Sequence, residues 1–256
     1  MVSPMRHGTA LGAAAAAVLL QSALLAAGTS GGRFSVNPTL VVFSRQTTSV
    51  LVSLANESPD EMRFQLSAFA WDQAPDGEMR LAPTEDIVFF PQMLVLAPGE
   101  SRNVRVGTLA GPDASERSYR LFVEQLPPSE AVRKPGVVQV LTRVGIPIFV
   151  APPAAVQSAE LRGLSRERGS LSFTLANTGN VHLAPEEVTV RALARDGTVL
   201  GERTLSAWYV LAGGTRSFAT DLPGLTSPQA AEVLVETRVG ERVVSRRLDL
   251  ATRVSR

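Results

Sequence analysis

Few residues in this chain could carry chemistry. There is no cysteine, and the two histidines are His7 and His182. Cysteine nucleophiles, disulfides and thiolate metal sites are therefore excluded. His182 closes the loop-type segment Asn177-Thr178-Gly179-Asn180-Val181-His182. A Ser-His-Asp arrangement would have to use it, and one histidine builds no metal cluster. A lone loop histidine reads as a surface or hydrogen-bonding residue. The acidic pairs Asp60-Glu61 and Glu186-Glu187 lie beside turns, where neighbouring carboxylates are solvated. Gly213-Gly214 precedes a strand-like run and reads as a turn, and no P-loop or dinucleotide fingerprint occurs. Neither enzyme activity nor a cofactor or metal is expected.

What remains is the chemistry of the backbone. The stretch Gly136–Val150 is apolar and alternating. Val138, Val140, Thr142, Val144, Ile146, Ile148 and Val150 share one face of an extended strand. Gly145 and Pro147 on the other face are poor central-strand residues, and a proline favours an edge or a bulge. One reading is an ordinary core strand of a sandwich. The other is an exposed edge kept for pairing with another chain, since proteins otherwise avoid such edges.

The elements around this strand are short. Runs rich in Val, Leu, Phe and Thr cover 36–43, 48–55, 63–71, 86–96, 101–106, 119–125 and 137–150. Pro75-Asp76-Gly77 and Pro98-Gly99 punctuate them as turns, and 86–96, which contains Pro91, reads as one strand before the Pro98-Gly99 turn. Ala151-Pro152-Pro153-Ala154-Ala155 is a stiff linker, after which the pattern restarts over 159–164, 169–176, 187–195, 199–208, 215–222, 231–239 and 242–252. Arg195-Asp196-Gly197 and Val239-Gly240-Glu241 read as hairpin turns. No long segment has helical period. Ser53-Leu54-Ala55-Asn56 and Thr174-Leu175-Ala176-Asn177 form a weak repeat, one in each half. The expectation is all-β, with two sandwich domains of one general type.

Residues 1–30 are expected to be a secretory signal peptide. Arg6 and His7 precede an apolar run from Leu11 to Ala27, and small residues follow from Ala26 to Ser30. An uncleaved membrane anchor is the alternative; no later run reaches the roughly 18 apolar residues of a membrane span. Removing residues 1–32 takes away one Arg and no acid, leaving 24 basic against 24 acidic residues. A neutral chain gives no electrostatic case for nucleic acid.

The order of parts resembles the periplasmic pilus-assembly chaperones of the chaperone–usher pathway, the PapD-like family. The residues that carry the resemblance are Leu96-Ala97-Pro98-Gly99-Glu100-Ser101 with Val104-Arg105-Val106, then Tyr119-Arg120-Leu121-Phe122-Val123-Glu124 with Leu126-Pro127-Pro128, then the apolar strand and the proline linker. The resemblance implies two immunoglobulin-like domains at an angle, spanning 33–150 and 156–256 with 151–155 between them. It also implies a periplasmic location and donor-strand complementation. In that process the chaperone lends its last first-domain strand to an incomplete pilus or fimbrial subunit and delivers the subunit to an outer-membrane usher. Val138, Val140, Thr142 and Val144 would then fill the subunit's groove, each buried aliphatic side chain contributing roughly 1.5–3 kcal/mol. Insertion into the membrane is not implied, and a self-capping dimer would hide the strand in the free protein.

One feature departs from the best-studied branch of that family, which binds the subunit's terminal carboxylate with an Arg on the first strand and a Lys on the last. Leu40 and Pro147 occupy those places here, and Arg143-Val144-Gly145-Ile146-Pro147-Ile148-Phe149 looks more like a divergent, archaic-type branch. Arg120 and Arg143 are the candidate replacements, because a guanidinium binds carboxylate bidentately. Both also fit as solvated strand residues. Two other functions fit the sequence: an exported ligand-binding module, and a structural surface-fibre subunit.

Overall fold

The computed structural model describes residues 33–128, 140–167 and 169–250. The expected signal segment and Val138 lie outside the described residues. All regular structure among the described residues is β-strand.

Two separate cores organise the chain. In the first sandwich, one sheet joins β1 (Phe34–Asn37), β3 (Ser49–Asn56), β8 (Ser101–Thr108) and β6 (Ile87–Phe90), in that order. The facing sheet joins β2 (Val41–Phe43), β10 (Arg143–Val150), β9 (Arg117–Leu126), β4 (Met62–Gln73) and β5 (Met79–Pro83), with β7 (Met93–Leu96) also on β4. Alternation selects the core: β3 buries Val52 and Leu54 and leaves Leu51, just ahead of them on the opposite face, exposed. Phe43, Phe64, Leu96, Leu121 and Ile148 meet between the sheets without exposed surface.

The runs 36–43 and 86–96 read as single strands in sequence, and each is two. β1 and β2 lie either side of Pro38 in opposite sheets, as do β6 and β7 either side of Pro91. A proline cannot donate to a ladder, so the chain crosses the core at these points. The short β5 was not legible, because four of its five residues are exposed and carry no apolar alternation.

The second sandwich packs β11 (Ala159–Glu167), β12 (Ser170–Asn177) and β15 (Thr215–Asp221) against a sheet ordered β14 (Val199–Ser206), β13 (Glu187–Ala194), β16 (Ala230–Val239) and β17 (Arg242–Asp249). Leu171, Leu175, Leu183, Val190 and Val235 form its centre. The two expected hairpin turns join β13 to β14 and β16 to β17.

The weak sequence repeat is a structural one. Asn56 and Asn177 end β3 and β12 and are 1% and 3% exposed. The Asn56 amide nitrogen donates to the carbonyls of Asp60, Leu96 and Ala97 at 2.8, 3.0 and 3.1 Å. That of Asn177 donates to Val181, Val210 and Leu211 at 2.8, 3.0 and 3.0 Å. Each side-chain oxygen accepts the backbone N–H two residues on, from Ser58 and Gly179. One asparagine thus ties its own turn to a second segment in each sandwich, the end of β7 in the first and the connection between β14 and β15 in the second. Replacing either with Ala leaves buried carbonyls unpaired, at a cost of about 1–3 kcal/mol. Urea unfolding of Asn56→Ala and Asn177→Ala should show that loss, and Asn56→Asp should lose more, because an acceptor-only carboxylate would face three carbonyl oxygens.

Candidate functional site

The last strand of the first sandwich has two different halves. β10 pairs antiparallel with β9 along its whole length, from Arg143↔Glu124 to Val150↔Arg117. On its other side β2 pairs with it in parallel, and only from Ile148 to Val150. Among the described residues no strand covers that edge from Arg143 to Pro147.

Alternation sets which groups face the open edge. Gln125 N–H donates to the Thr142 carbonyl at 2.9 Å, so the even-numbered residues of β10 bond toward β9. The backbone groups of Arg143, Gly145 and Pro147 consequently point outward. Pro147 has no N–H to leave unpaired, which suits it to this edge. Gly145 has its own reason: a Cβ there would meet the Phe122 ring at 3.0 Å, and that ring fills the space.

The sequence reading of 137–150 as one strand needs correction at its start. Among the described residues the strand begins at Arg143; Val140, Leu141 and Thr142 precede it exposed, with Thr142 held to β9 through its carbonyl, and 137–139 lie outside the described residues. Val140 keeps 55% of its surface in solvent. The alternation itself holds: Ile146, Ile148 and Val150 are buried in the first core, and Val144 packs against it half-buried.

The opposite face of the same sheet meets the second sandwich. Trp71, Phe149 and Leu211 form a small cluster there, with Tyr209 packed on it. His182 stacks on Phe149 with ring centroids 3.7 Å apart, and its Nδ1 lies 2.8 Å from the buried Glu116 carboxylate. This lone histidine is a hydrogen-bonding residue of the junction. Asn180 ties the sandwiches further, donating to the carbonyls of Ala114 and Ala154 at 2.9 Å each.

Arg120 lies in this junction and is 4% exposed. It stands directly across the ladder from Pro147, with Phe69 on its other side. Extending the parallel register of β2 by one residue places Leu40 beside Pro147. Leu40, Pro147 and Arg120 therefore form one row across three strands. The Arg120 guanidinium carbon sits 4.0 Å from the Trp71 ring centroid, 4.8 Å from Trp208 and 5.8 Å from Tyr209. Nη1 donates to the Gly145 carbonyl at 3.1 Å. Nε and Nη2 are buried without a partner. Burial pulls this guanidinium below the ordinary arginine pKa, and Tyr209 opposes that shift.

The junction is rich in donors. Trp71 Nε1, the Gln73 amide and Arg216 Nη1 are also buried without partners, and burial lowers the Arg216 pKa too. The nearby carboxylate, Glu116, is held by His182. A desolvated cation on aromatic faces gains about 2 kcal/mol, less than the several kcal/mol that burying an ion without a counter-charge costs. Nε and Nη2 are the two donors of a guanidinium that grip a carboxylate side-on.

Arg143 differs. It lies 3.6 Å from Glu124, stacks 3.8 Å over Phe122 and stays about half exposed. Its charge is already compensated. The aromatic walls around Arg120 were missed in sequence, although the chain has just two tryptophans, Trp71 and Trp208, and both are here.

Comparison with known proteins gives a consistent result. Residues 33–156 match the family model for pili and flagellar-assembly chaperones, PapD N-terminal domain. The fold resembles a chain of the CsuC–CsuE chaperone–tip adhesion subunit pre-assembly complex from the archaic chaperone–usher Csu pili of Acinetobacter baumannii. That match has 20% identity and TM-score 0.56, and covers 84% of this chain and 97% of that one. It also resembles a chain of the Salmonella enterica SafA pilin–SafB chaperone complex, at 14% identity, TM-score 0.55 and coverage of 86% and 99%. The E. coli chaperone DraB matches at 16% identity, TM-score 0.52 and coverage of 88% and 99%. No curated protein sequence matches the chain.

Proposed function

Through residues 33–156 the chain belongs to the pili and flagellar-assembly chaperones, and we propose that it performs that role by lending the open edge of β10 to an incomplete subunit while Arg120 grips a carboxylate of the same subunit. The chaperones of this family are not enzymes, and they work in the periplasm; export of this chain would use the segment 1–30.

The unpaired half of β10 carries the reading. A subunit strand laid along Arg143–Pro147 would gain backbone hydrogen bonds, and the row Val138, Val140, Thr142 and Val144 would enter its groove. Val140 and Thr142 stand exposed ahead of β10, free to be buried by a partner. Two or three aliphatic contacts at about 1.5–3 kcal/mol each, with a ladder, suit a client that cannot fold alone. The loaded chaperone then meets an outer-membrane usher. When no client is present, the same edge can pair with a second copy, giving a self-capping dimer.

Arg120 is preferred to Arg143 as the carboxylate anchor because its side-on donor pair is unsatisfied, whereas Arg143 already faces Glu124. It stands one strand away from the Leu40–Pro147 pair, where the resemblance places the anchoring cations. The anchor would thus have moved along the same row.

Pull-down of tagged mature protein from the periplasm of its host tests the edge. Wild type should co-purify a small β-rich subunit. Val140→Arg should lose it by tenfold or more, since burying an unpaired charge costs at least about 1.4 kcal/mol. Because Val140 is exposed, the variant should melt like wild type; retention of the subunit by this folded variant would sink the reading and favour a ligand-binding module. Arg120→Met separates anchor from scaffold. Removing an uncompensated buried charge should leave the free protein as stable or more so, yet weaken subunit binding about tenfold or more. A large drop in melting temperature would instead mark Arg120 as structural.

A further inference from the structure

The free donors of Arg120 are sealed, so an incoming carboxylate needs one wall to move. Trp71 belongs to β4, a strand paired on both sides, and is 4% exposed. Phe149 is fully buried in β10. Tyr209 packs on the Trp71–Phe149–Leu211 cluster. Trp208 is different: it lies in the connection between β14 and β15, outside any strand, with 37% of its surface in solvent. One face of its indole lies toward the guanidinium, 4.8 Å from its carbon.

The backbone beside Trp208 is fastened. Val210 exchanges two 2.9 Å hydrogen bonds with Leu183, and Asn177 holds the carbonyls of Val210 and Leu211. Ala207 on the other side is buried. Opening therefore falls to the Trp208 side chain rather than to the loop.

We propose that Trp208 is a gate: in the free protein its indole from the second sandwich closes over Arg120 of the first, and a subunit carboxylate enters by displacing it. This rests on the reading of Arg120 as the anchor. The exchange trades a cation–π contact for a charged bidentate hydrogen bond, so a carboxylate is admitted where a neutral amide is not. It also places the sensing side chain on the sandwich that does not carry the lent strand.

Arginine-selective modification with phenylglyoxal, mapped by mass spectrometry, tests the gate without any subunit. In wild type Arg120 should react slowly. In Trp208→Ala, checked for a native circular dichroism spectrum, its rate should rise about tenfold or more, the equivalent of losing about one 1.4 kcal/mol contact. If that variant does not fold, Trp208→Leu keeps apolar bulk and should give the same rise. An unchanged Arg120 rate in a folded variant overturns the gate. A second arm adds N-acetyl-leucyl-valine, with free carboxylate or as the amide, to Trp208→Ala. Protection of Arg120 by the acid alone supports gate and anchor together. A fast Arg120 in the variant that neither probe protects means that the anchor reading has failed even though the indole covers the residue in wild type, so the gate has no carboxylate to admit and is overturned as proposed.

Discussion

One strand has to satisfy two demands along its length. The second half of β10 is core on both faces: Ile146, Ile148 and Val150 enter the first sandwich, and Phe149 enters the junction with the second. Its first half has a backbone edge with no neighbour. The buried half fixes the strand's register against β9, and that register decides where every exposed group of the leading half points. A slip of one residue would turn the whole row, Val140 and Thr142 together with Ile146, Ile148 and Val150, to the other face of the sheet.

The same register sets the cation. Arg120 faces the second sandwich because it is the cross-strand partner of Pro147. With proline and glycine on β10 at this point, neither Pro147 nor Gly145 sends a long side chain across. Phe122 and Arg120 fill the space instead, one over Gly145 and one bonded to its carbonyl. The small residues that weaken β10 as an ordinary strand are thus what make room for a guanidinium at the junction. The aromatic walls stabilise its charge only in part, and two of its donor nitrogens remain unsatisfied.

Much of the fold was legible because alternation is a local property. The strand runs and the two hairpin turns follow from side chains at period two and from turn residues. Even a four-residue repeat pointed at a real feature, since Asn56 and Asn177 make the same set of bonds in each sandwich. The failures have local causes as well. Pro38 and Pro91 lie where the chain passes from one sheet to the other, which an apolar pattern cannot reveal because both sheets face one core. Val140 and Leu141 continue the alternation ahead of β10 without belonging to it, and Thr142 is joined to the backbone of β9 by its carbonyl alone, since a ladder needs paired backbone and not just a pattern.

The sequence by itself determined the class of fold, the absence of cysteine and the alternating apolar face of β10, because each depends on residue type and short spacing. The tertiary structure decided which half of that row is open, which arginine is compensated and what covers the other. Those outcomes depend on register between strands distant in the chain and on Trp208 arriving from the second sandwich. Arg120 and Arg143 are alike as letters. One meets Glu124 across a ladder and the other meets two tryptophans across a junction, and only packing separates them.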